Sequence, residues 1–341
     1  MAYTTINKST DYFNTVLWTT DGTGSKALTT GHSTDMVWIK FRDFAYDHRI
    51  YDDVRGVTKK IIPNKTDAES TTTDLDSFDT NGFTVGSNLN SSGEGGLVGW
   101  SWKANGLGSA NSDGSINTTY TSASTTSGFS ICQYTGNATS GATIGHGLGV
   151  KPNLIFLKRT DATESWEVYH SSLGATKYLN LQTDAASASS TTIWNDTEPT
   201  STVFSIGNNT AVNASGGTYV AYCFAQKSGF SSMGSYVGNG NADGTFVYTG
   251  FKPAFILIKR SASTAAPWCI FDNKRDGYNP NKLLLANNTN VESSPNFDIV
   301  SNGFKTRTAD GEWNGSGSTY IYMAIAEAPL VGSNNVPTTA R

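Results

Sequence analysis

Short apolar runs bounded by proline, glycine or charged residues recur along the chain and predict β-strands. LIFLK at 154–158 and FILIK at 255–259 are apolar up to a closing lysine and too short for helices, which is typical of strands buried on both faces. TYVAYCFA at 218–225 and TYIYMAIA at 319–326 fit a buried helix on periodicity alone, but the glycine-rich turns before them favour hairpin strands. No segment has the pattern and caps of an amphipathic helix, and 58–71 has room for one helical turn at most. The pattern therefore predicts an all-β protein.

The strand pattern repeats at an interval of about one hundred residues. GVKPNLIFLKR at 149–159 recurs as GFKPAFILIKR at 250–260, 101 positions later, and a diverged version, DMVWIKFR, lies at 35–42. A pattern that recurs at a fixed interval indicates a repeated structural unit, and short strands with glycine turns are typical of sandwiches and jelly rolls. We predict three tandem β-sandwich or jelly-roll-like units at 1–104, 128–227 and 228–341, the last with a C-terminal extension.

Each repeated run also predicts how its strand is placed. Pro152 and Pro253 mark the strand starts, because proline lacks the N–H that a strand donates to its sheet. The apolar residues fill a core. The Lys-Arg pairs that close the runs, at 158–159 and 259–260, are expected at the surface.

The segment between the first and second units differs in composition from the units themselves. Residues 105–127 are rich in Gly, Ser, Thr and Asn and almost uncharged, which predicts a flexible or extended linker. Only Lys227 and Ser228 separate the second and third units, so we expect those two to pack as a rigid pair.

Composition narrows the class of protein. The chain has 341 residues, of which 15% are charged and 11% aromatic, so it is long enough to bury real cores and unlike a disordered chain. A net charge of −4 gives no electrostatic footprint for nucleic acid or an anionic membrane. No apolar run approaches the roughly 20 residues of a membrane span, and the first residues do not resemble a signal peptide. We expect a soluble protein, made in a cytoplasm, with no membrane insertion.

Residues with catalytic or metal-binding chemistry are present but not in the required patterns. The four histidines and three cysteines lack metal-ligand spacing, and no nucleophile elbow or recurring carboxylate pair exists. We predict no enzyme activity, no catalytic residue, no cofactor and no metal, and we expect the cysteines to be free structural thiols. The histidines are His32, His48, His146 and His170, and the cysteines are Cys132, Cys223 and Cys269.

Two polar patterns have local interpretations. GNGNADG at 238–244 is read as a turn, with Ca²⁺ binding through Asn239, Asn241 and Asp243 as the minor alternative. DDVR at 52–55 and DNKR at 272–275 each place an aspartate three residues before an arginine. We predict surface salt bridges that organise turns there, each contributing about 0–1 kcal/mol.

Tryptophan positions fall into two groups. Trp166 and Trp268 align between units and alternate with apolar residues, so we predict that they lie in the core, with sugar stacking as the alternative. Trp194 and Trp313 lie in polar stretches, TTIWNDTEPTS and DGEWNG. An exposed tryptophan beside amides and carboxylates can stack on a sugar ring, so these two are the predicted ligand contacts.

Several strings carry a resemblance to a known family. GFSICQYTGN, IGHGLGVKPNLIFLKR, WNDTEPTSTVFSIG and GSYVGNGNADGTFVYTGFKPAFILIKR resemble structural proteins of tailed marine bacteriophages, cyanophages among them. Members are described as tail-fibre-like, appendage or uncharacterised virion proteins. The similarity spans nearly the whole chain, including DFAYDHRIYDDVRG, and departs from the family in TKKIIPNKTDAESTTTDLDSF of the first unit. It implies localisation in the phage particle and supplies no catalytic residue.

The resemblance gives a leading functional hypothesis and its alternatives. We expect a tail fibre or appendage protein, assembled as a homotrimer with other phage tail or capsid proteins, that attaches to host-surface glycan or protein through multivalent contacts. A capsid decoration or head-fibre protein is the alternative within the particle. A polysaccharide-degrading enzyme and a stand-alone carbohydrate-binding module are the other classes.

Overall fold

The computed structural model of the protein describes residues 4–262, 265–329 and 331. Antiparallel strands make up most of it, and its helices are single turns. The predicted all-β fold is confirmed. Most of the predicted C-terminal extension lies outside the described residues.

The first unit contains a large sheet of strand order β1-β9-β3-β4, a small sheet β2-β8-β7 and a short pair β5-β6. The strands are β1 (Phe13–Thr19), β2 (Lys26–Thr29), β3 (Met36–Phe41), β4 (Arg49–Asp52), β5 (Lys59–Lys60), β6 (Ser70–Thr71), β7 (Leu75–Asp79), β8 (Gly82–Val85) and β9 (Gly96–Trp102). Two 3-10 turns, Ser9–Asp11 and Ser87–Leu89, complete it. Residues 58–71 contain β5 and β6 and no helical turn.

The second unit contains a large sheet of order β10-β11-β12-β19-β14-β15-β16-β17 and a small pair β13-β18. The strands are β10 (Ser109–Asn111), β11 (Thr118–Ser124), β12 (Phe129–Thr135), β13 (Ala142–Gly145), β14 (Leu154–Arg159), β15 (Trp166–His170), β16 (Lys177–Asn180), β17 (Ala188–Ser189), β18 (Val203–Ile206) and β19 (Thr218–Phe224). Two one-turn helices, α1 (Thr191–Trp194) and α2 (Thr210–Asn213), lie between the later strands.

The third unit contains a large sheet of order β20-β27-β22-β23-β24 and a small sheet β21-β26-β25. The strands are β20 (Ser231–Val237), β21 (Phe246–Tyr248), β22 (Pro253–Arg260), β23 (Trp268–Asp272), β24 (Leu283–Leu285), β25 (Phe297–Val300), β26 (Gly303–Thr306) and β27 (Thr319–Ala326). Pro253 is the first residue of β22, as predicted, whereas Pro152 lies two residues before β14, which begins at Leu154.

One strand order recurs in the three large sheets. In each, the long last strand lies between two neighbours, one of which contains the buried lysine and pairs in turn with the strand after it. The matching orders are β1-β9-β3-β4, β12-β19-β14-β15 and β20-β27-β22-β23. This order is what tandem copies would share. The origin of the units as copies, and their boundaries, remain predictions.

The three large sheets surround one common core, and each also covers a core of its own. In β14, Phe156 packs into the common core while Ile155 packs toward the small sheet of its own unit. In β22, Leu257 and Ile256 divide in the same way. These strands are apolar throughout because both of their faces are buried. Trp166 and Trp268 lie in the common core, as predicted.

The interpretation of 105–127 as a linker is wrong where the segment forms the strands β10 and β11. Residues 118–124 form β11, which pairs antiparallel with β12, and β10 pairs with β11 in turn. Thr and Ser suit strands as well as linkers, so composition alone did not distinguish the two. The segment widens the large sheet of the second unit.

The expectation that the closing lysines lie at the surface is also wrong. Lys40, Lys158 and Lys259 are at most 1% exposed. The Nζ of Lys158 donates to the carbonyl oxygens of Thr66, at 3.0 Å, and Glu164, at 2.9 Å. Burial lowers the pKa of each lysine to about 8. Bonds to carbonyl groups compensate the loss of water, which is why the lysines can be buried.

The lysine of the third unit makes the same kind of contact with the second. The Nζ of Lys259 donates to the carbonyl oxygen of Asp184 at 2.8 Å and also to that of Ala266. In the first unit, Lys40 bonds within its own loop, to Phe41 and Phe44. Two of the three lysines therefore fasten one unit to the loop of the unit before it.

Ring nitrogens at one aligned position complete a cycle of contacts between the units. Trp166 Nε1 of the second unit donates to the Ile62 carbonyl of the first at 3.0 Å. Trp268 Nε1 of the third donates to the Asn180 carbonyl of the second at 3.0 Å. At the aligned position of the first unit, His48 Nε2 lies 3.0 Å from the carbonyl oxygen of Leu285 in the third. Each unit thus contacts the other two, and the three units form a closed ring.

The aspartate–arginine pairs organise turns, as predicted, but they are not at the surface. Arg55 Nε lies 2.6 Å from Asp52 Oδ2, and Arg275 Nε lies 2.6 Å from Asp272 Oδ2. All four side chains are at most 1% exposed. In each pair the backbone N–H of the arginine also donates to the aspartate. A buried pair of this kind is costly to break, because removing one partner leaves the other charge uncompensated.

These buried pairs lie where one unit meets the next. Tyr222 of the second unit donates its hydroxyl to Asp52 of the first, and Trp100 of the first donates Nε1 to Asp272 of the third at 3.1 Å. Met323 aligns with those two donors in the third unit and has no hydrogen to donate. At the position of Asp52 and Asp272 the second unit has His170, whose Nε2 donates to the carbonyl oxygen of Tyr322 at 3.2 Å. At the interface between the third and second units, both partners of the hydrogen bond therefore differ from those at the other two interfaces.

Candidate functional site

The small sheets present one side to solvent, and in the third unit this side carries exposed aromatic rings. On β21, Phe246 is 47% exposed and Tyr248 is 61% exposed, while Val247 between them is buried against the core of the unit. Successive side chains of a strand point to opposite faces. Phe246 and Tyr248 therefore share the outer side of the sheet, which we call the third outer face.

The rest of the third outer face comes from β26 and β25. Lys305 pairs with Phe246 across one strand boundary and with Asp298 across the next. Gly303 lies opposite Tyr248. A Cβ on Gly303 would lie 2.0 Å from the Val247 carbonyl oxygen and 3.2 Å from the Phe246 ring, so only glycine fits there. The face is thus an aromatic surface bordered by charged side chains.

Each cation of this face has a carboxylate partner. Lys305 Nζ lies 2.6 Å from Asp243 Oδ1, and this contact lowers the pKa of the Asp243 carboxyl. Arg307 Nε lies 3.4 Å from Asp298 Oδ2. The charged border is therefore balanced, with hydrogen-bond donors and acceptors side by side.

A polar groove of about 400 Å³ adjoins the face and is open to solvent. Asp298 and Arg307 belong to both the face and the groove. Tyr278, 73% exposed, directly precedes the groove residue Asn279. The other lining residues are Ala242, Pro280 and Asn296. Exposed rings beside amide, carboxylate and guanidinium groups are the combination that orients polar ligands such as sugars.

The corresponding face of the first unit has no aromatic ring. Strand pairing aligns Phe246 with Ala27, Tyr248 with Thr29 and Lys305 with Thr84. Thr84 donates its hydroxyl to Asp79 at 2.8 Å. The first outer face is small and polar, and its polar groups bond to one another.

The corresponding strand of the second unit is occupied along its edge. Thr143 and Gly145 take the positions of the two aromatic residues. Ile116 donates its N–H to the Thr143 carbonyl at 3.0 Å, and Ser115 exchanges bonds with Thr143. Of the three equivalent faces, the third is the one that combines exposed rings with a groove.

The predicted ligand contacts Trp194 and Trp313 are not exposed. They are 2% and 3% exposed, and each packs edge-on against an aromatic ring at 6.0 Å, Tyr169 and Phe271 respectively. Polar neighbours in sequence suggested exposure, but the turns that contain them direct each indole ring into the core of its unit. The argument for sugar stacking at these two rings loses its basis. Phe246 and Tyr248 alternate with Val247 in the sequence, and nothing in that pattern says which side is buried.

In the segment considered for Ca²⁺, residues 238–244, asparagine side-chain oxygens accept hydrogen bonds from backbone N–H groups of the same segment. Asn239 Oδ1 accepts from the Asn241 N–H at 3.0 Å, and Asn241 Oδ1 accepts from the Asp243 N–H at 3.1 Å. Asn314, which is fully buried, donates Nδ2 to Asn239 Oδ1 at 3.0 Å. The side-chain oxygens of this segment hold the loop in shape, and the Asp243 carboxylate pairs with Lys305.

The remaining candidate groups for chemistry are buried. The three cysteines are free and buried, as predicted. The four histidines are at most 4% exposed, and burial lowers the pKa of each. Within the described residues, no group of three His, Cys, Asp or Glu side chains could hold a metal ion. No helix in the same part of the chain is long and apolar enough to cross a membrane.

Residues 8–329 match a family described as a domain of unknown function, DUF7483. The chain belongs to this family. The matched residues include all strands of the three large sheets. Neither the curated proteins nor the solved structures gave a significant match to this DUF7483 chain.

Proposed function

We propose that this DUF7483 protein is a structural component of a bacteriophage particle that attaches to the host surface by binding glycan at its third outer face. The observation that carries the proposal is the exposed pair Phe246 and Tyr248 beside a polar groove, at positions where the first unit has Ala27 and Thr29. Large exposed apolar groups in a cluster mark interaction sites.

The chemistry of the site suits carbohydrate. The C–H side of a sugar ring packs on an aromatic ring, and the hydroxyl groups need paired donors and acceptors. Phe246 and Tyr248 supply the rings. Asp298, Arg307 and Asn296 supply acceptors and donors at the groove. In this proposal the protein binds and does not catalyse.

The assignment to a phage particle rests on the sequence resemblance, and the architecture agrees with it. A surface protein outside the cell needs stability, which here comes from a common core and buried polar contacts between units, with three free cysteines and no disulfide. Shallow sites bind weakly one at a time. A particle that carries many copies gains avidity by engaging them together.

Two measurements test the proposal. Gold-labelled antibody against the chain, applied to intact phage and viewed by electron microscopy, is expected to label the tail. Label over the head would instead support the capsid decoration or head-fibre alternative. Phage particles that do not contain the chain would refute the proposal that it is a virion protein.

Attachment is measured separately with purified protein on host cells. The double variant Phe246→Ala, Tyr248→Ala is expected to lose most cell binding. The matched control is Thr29→Ala on the first outer face, which is expected to bind normally. Equal binding by the wild-type protein, the double variant and Thr29→Ala would show that the third outer face does not bind the host.

A further inference from the structure

We infer that the glycan bound at the third outer face is uncharged. This inference rests on the proposed function and adds the class of sugar. It follows from how the charged groups around Phe246 and Tyr248 are already used.

An acidic sugar needs an available cation. Uronic acids, sialic acids and sulfated sugars present carboxylate or sulfate groups, which proteins bind with Arg or Lys, often through two hydrogen bonds. At this face Lys305 already pairs with Asp243 at 2.6 Å, and Arg307 lies 3.4 Å from Asp298. An anionic group at either cation would therefore meet a carboxylate as well.

The same pairs are suited to hydroxyl groups. A hydroxyl group donates one hydrogen bond and accepts others, so it can bridge a carboxylate and a neighbouring guanidinium. Asp298 and Arg307 offer such a pair in the groove, and Asn296 lines the same groove. A neutral sugar satisfies these groups without separating the ions.

The two rings also bear on the length of the ligand. Phe246 and Tyr248 are two residues apart on one strand, a separation of about 7 Å. Adjacent residues of one oligosaccharide can contact both rings. We therefore expect neutral oligosaccharides to bind more tightly than the matching monosaccharides.

The experiment compares purified full-length protein on immobilised neutral polysaccharides (dextran, mannan and a β-glucan) and acidic ones (alginate and heparin). Binding to at least one neutral polysaccharide is expected, with less than a twofold change between 50 and 500 mM NaCl, because no net charge is neutralised. Phe246→Ala with Tyr248→Ala is expected to weaken this binding at least tenfold. Thr29→Ala is expected to leave it unchanged.

Each other outcome counts against the inference in a distinguishable way. Binding to alginate or heparin that needs Phe246 and falls at least tenfold in high salt would overturn the uncharged sugar and leave glycan attachment standing. Binding to host cells that needs Phe246, with no polysaccharide bound, would overturn the sugar and point to a protein receptor. Absence of binding to host cells would refute the attachment function itself.

Discussion

The first and third units expose equivalent small sheets to solvent, but the exposed side chains are small in the first unit and aromatic in the third. Ala27 and Thr29 of the first unit occupy the positions of Phe246 and Tyr248 of the third. On the inner side the two units agree, since each buries a lysine, Lys40 in the first, at the end of the strand that faces the common core. The inner positions are constrained by contact with the other two units. The outer positions are free of that constraint, which is why a binding site can differ there between units.

The largest expected effect comes from placing a charge in the third unit's own core. Ile256 is fully buried, and Ile256→Asp would place an unpaired carboxylate in its core, at a cost of more than about 5 kcal/mol, comparable to the whole stability of a domain. We expect the unit to unfold, measured by circular dichroism during heating. Phe246→Asp on the outer side of the same unit is the control and should melt near the wild-type temperature. A wild-type melting curve for Ile256→Asp would refute the strand assignment, and the same test applies to Ile155→Asp in the second unit.

A second, smaller effect is expected from the buried pairs between units. Asp272→Ala leaves the Arg275 guanidinium buried without its carboxylate and removes the acceptor of Trp100 Nε1, so we expect a loss of about 3–5 kcal/mol in the free energy of unfolding. The control is Asp243→Ala, which removes the exposed partner of Lys305 and should leave the free energy of unfolding almost unchanged. Urea unfolding monitored by tryptophan fluorescence gives both values. Similar losses for the two variants would contradict the distinction between inner and outer positions.

The strands were predictable from sequence because the residue types that start a strand and fill a core are visible in the sequence itself. Pro253 starts β22, and the unbroken apolar run after it reflects a strand with two buried faces. The burial of Lys158 was not predictable in the same way. A lysine at a strand end normally reaches water, and its partner, the Thr66 carbonyl, lies 92 residues earlier in the chain.

The candidate site was less predictable than the fold. Trp313 has polar neighbours in the sequence, yet its ring packs against Phe271 in the core. Phe246 and Tyr248 read as ordinary strand residues, since alternation shows that two faces exist and not which face is covered. Comparison of three equivalent sheets in the structure made the difference visible.

A pH-dependent effect is expected at one buried position where the first and second units differ. Glu167 on β15 is 4% exposed, accepts from Asn180 Nδ2 at 3.2 Å, and aligns with Arg49 of the first unit. Burial raises the pKa of Glu167 from 4.5 to about 8. Between those values the folded state binds the proton more strongly than the unfolded state, so this group lowers stability as pH rises from about 4.5 to 8.

Glu167→Gln removes that dependence. We expect the variant to melt at the wild-type temperature at pH 4.5 and above it at pH 9, by an amount corresponding to a few kcal/mol at most. Melting curves at the two pH values provide the measurement. An identical difference at both would mean that Glu167 does not titrate in this range.

The smallest effect on stability is expected at the third outer face itself. Phe246→Ala and Tyr248→Ala remove exposed groups, so we expect the free energy of unfolding to change by no more than about 0.5 kcal/mol. Urea unfolding of the double variant tests this, and its loss of cell binding would then reflect recognition. A loss above about 2 kcal/mol would show that the rings support the fold.

The closed ring of three units in one chain has a consequence for how its outer faces can change. Three identical chains around a threefold axis would carry every mutation three times, including any that weakens their shared contacts. Here a single codon change alters one face of the ring and leaves the other two faces untouched. The residues at positions 246 and 248 can therefore change without altering the lysine and tryptophan contacts that hold the three units together.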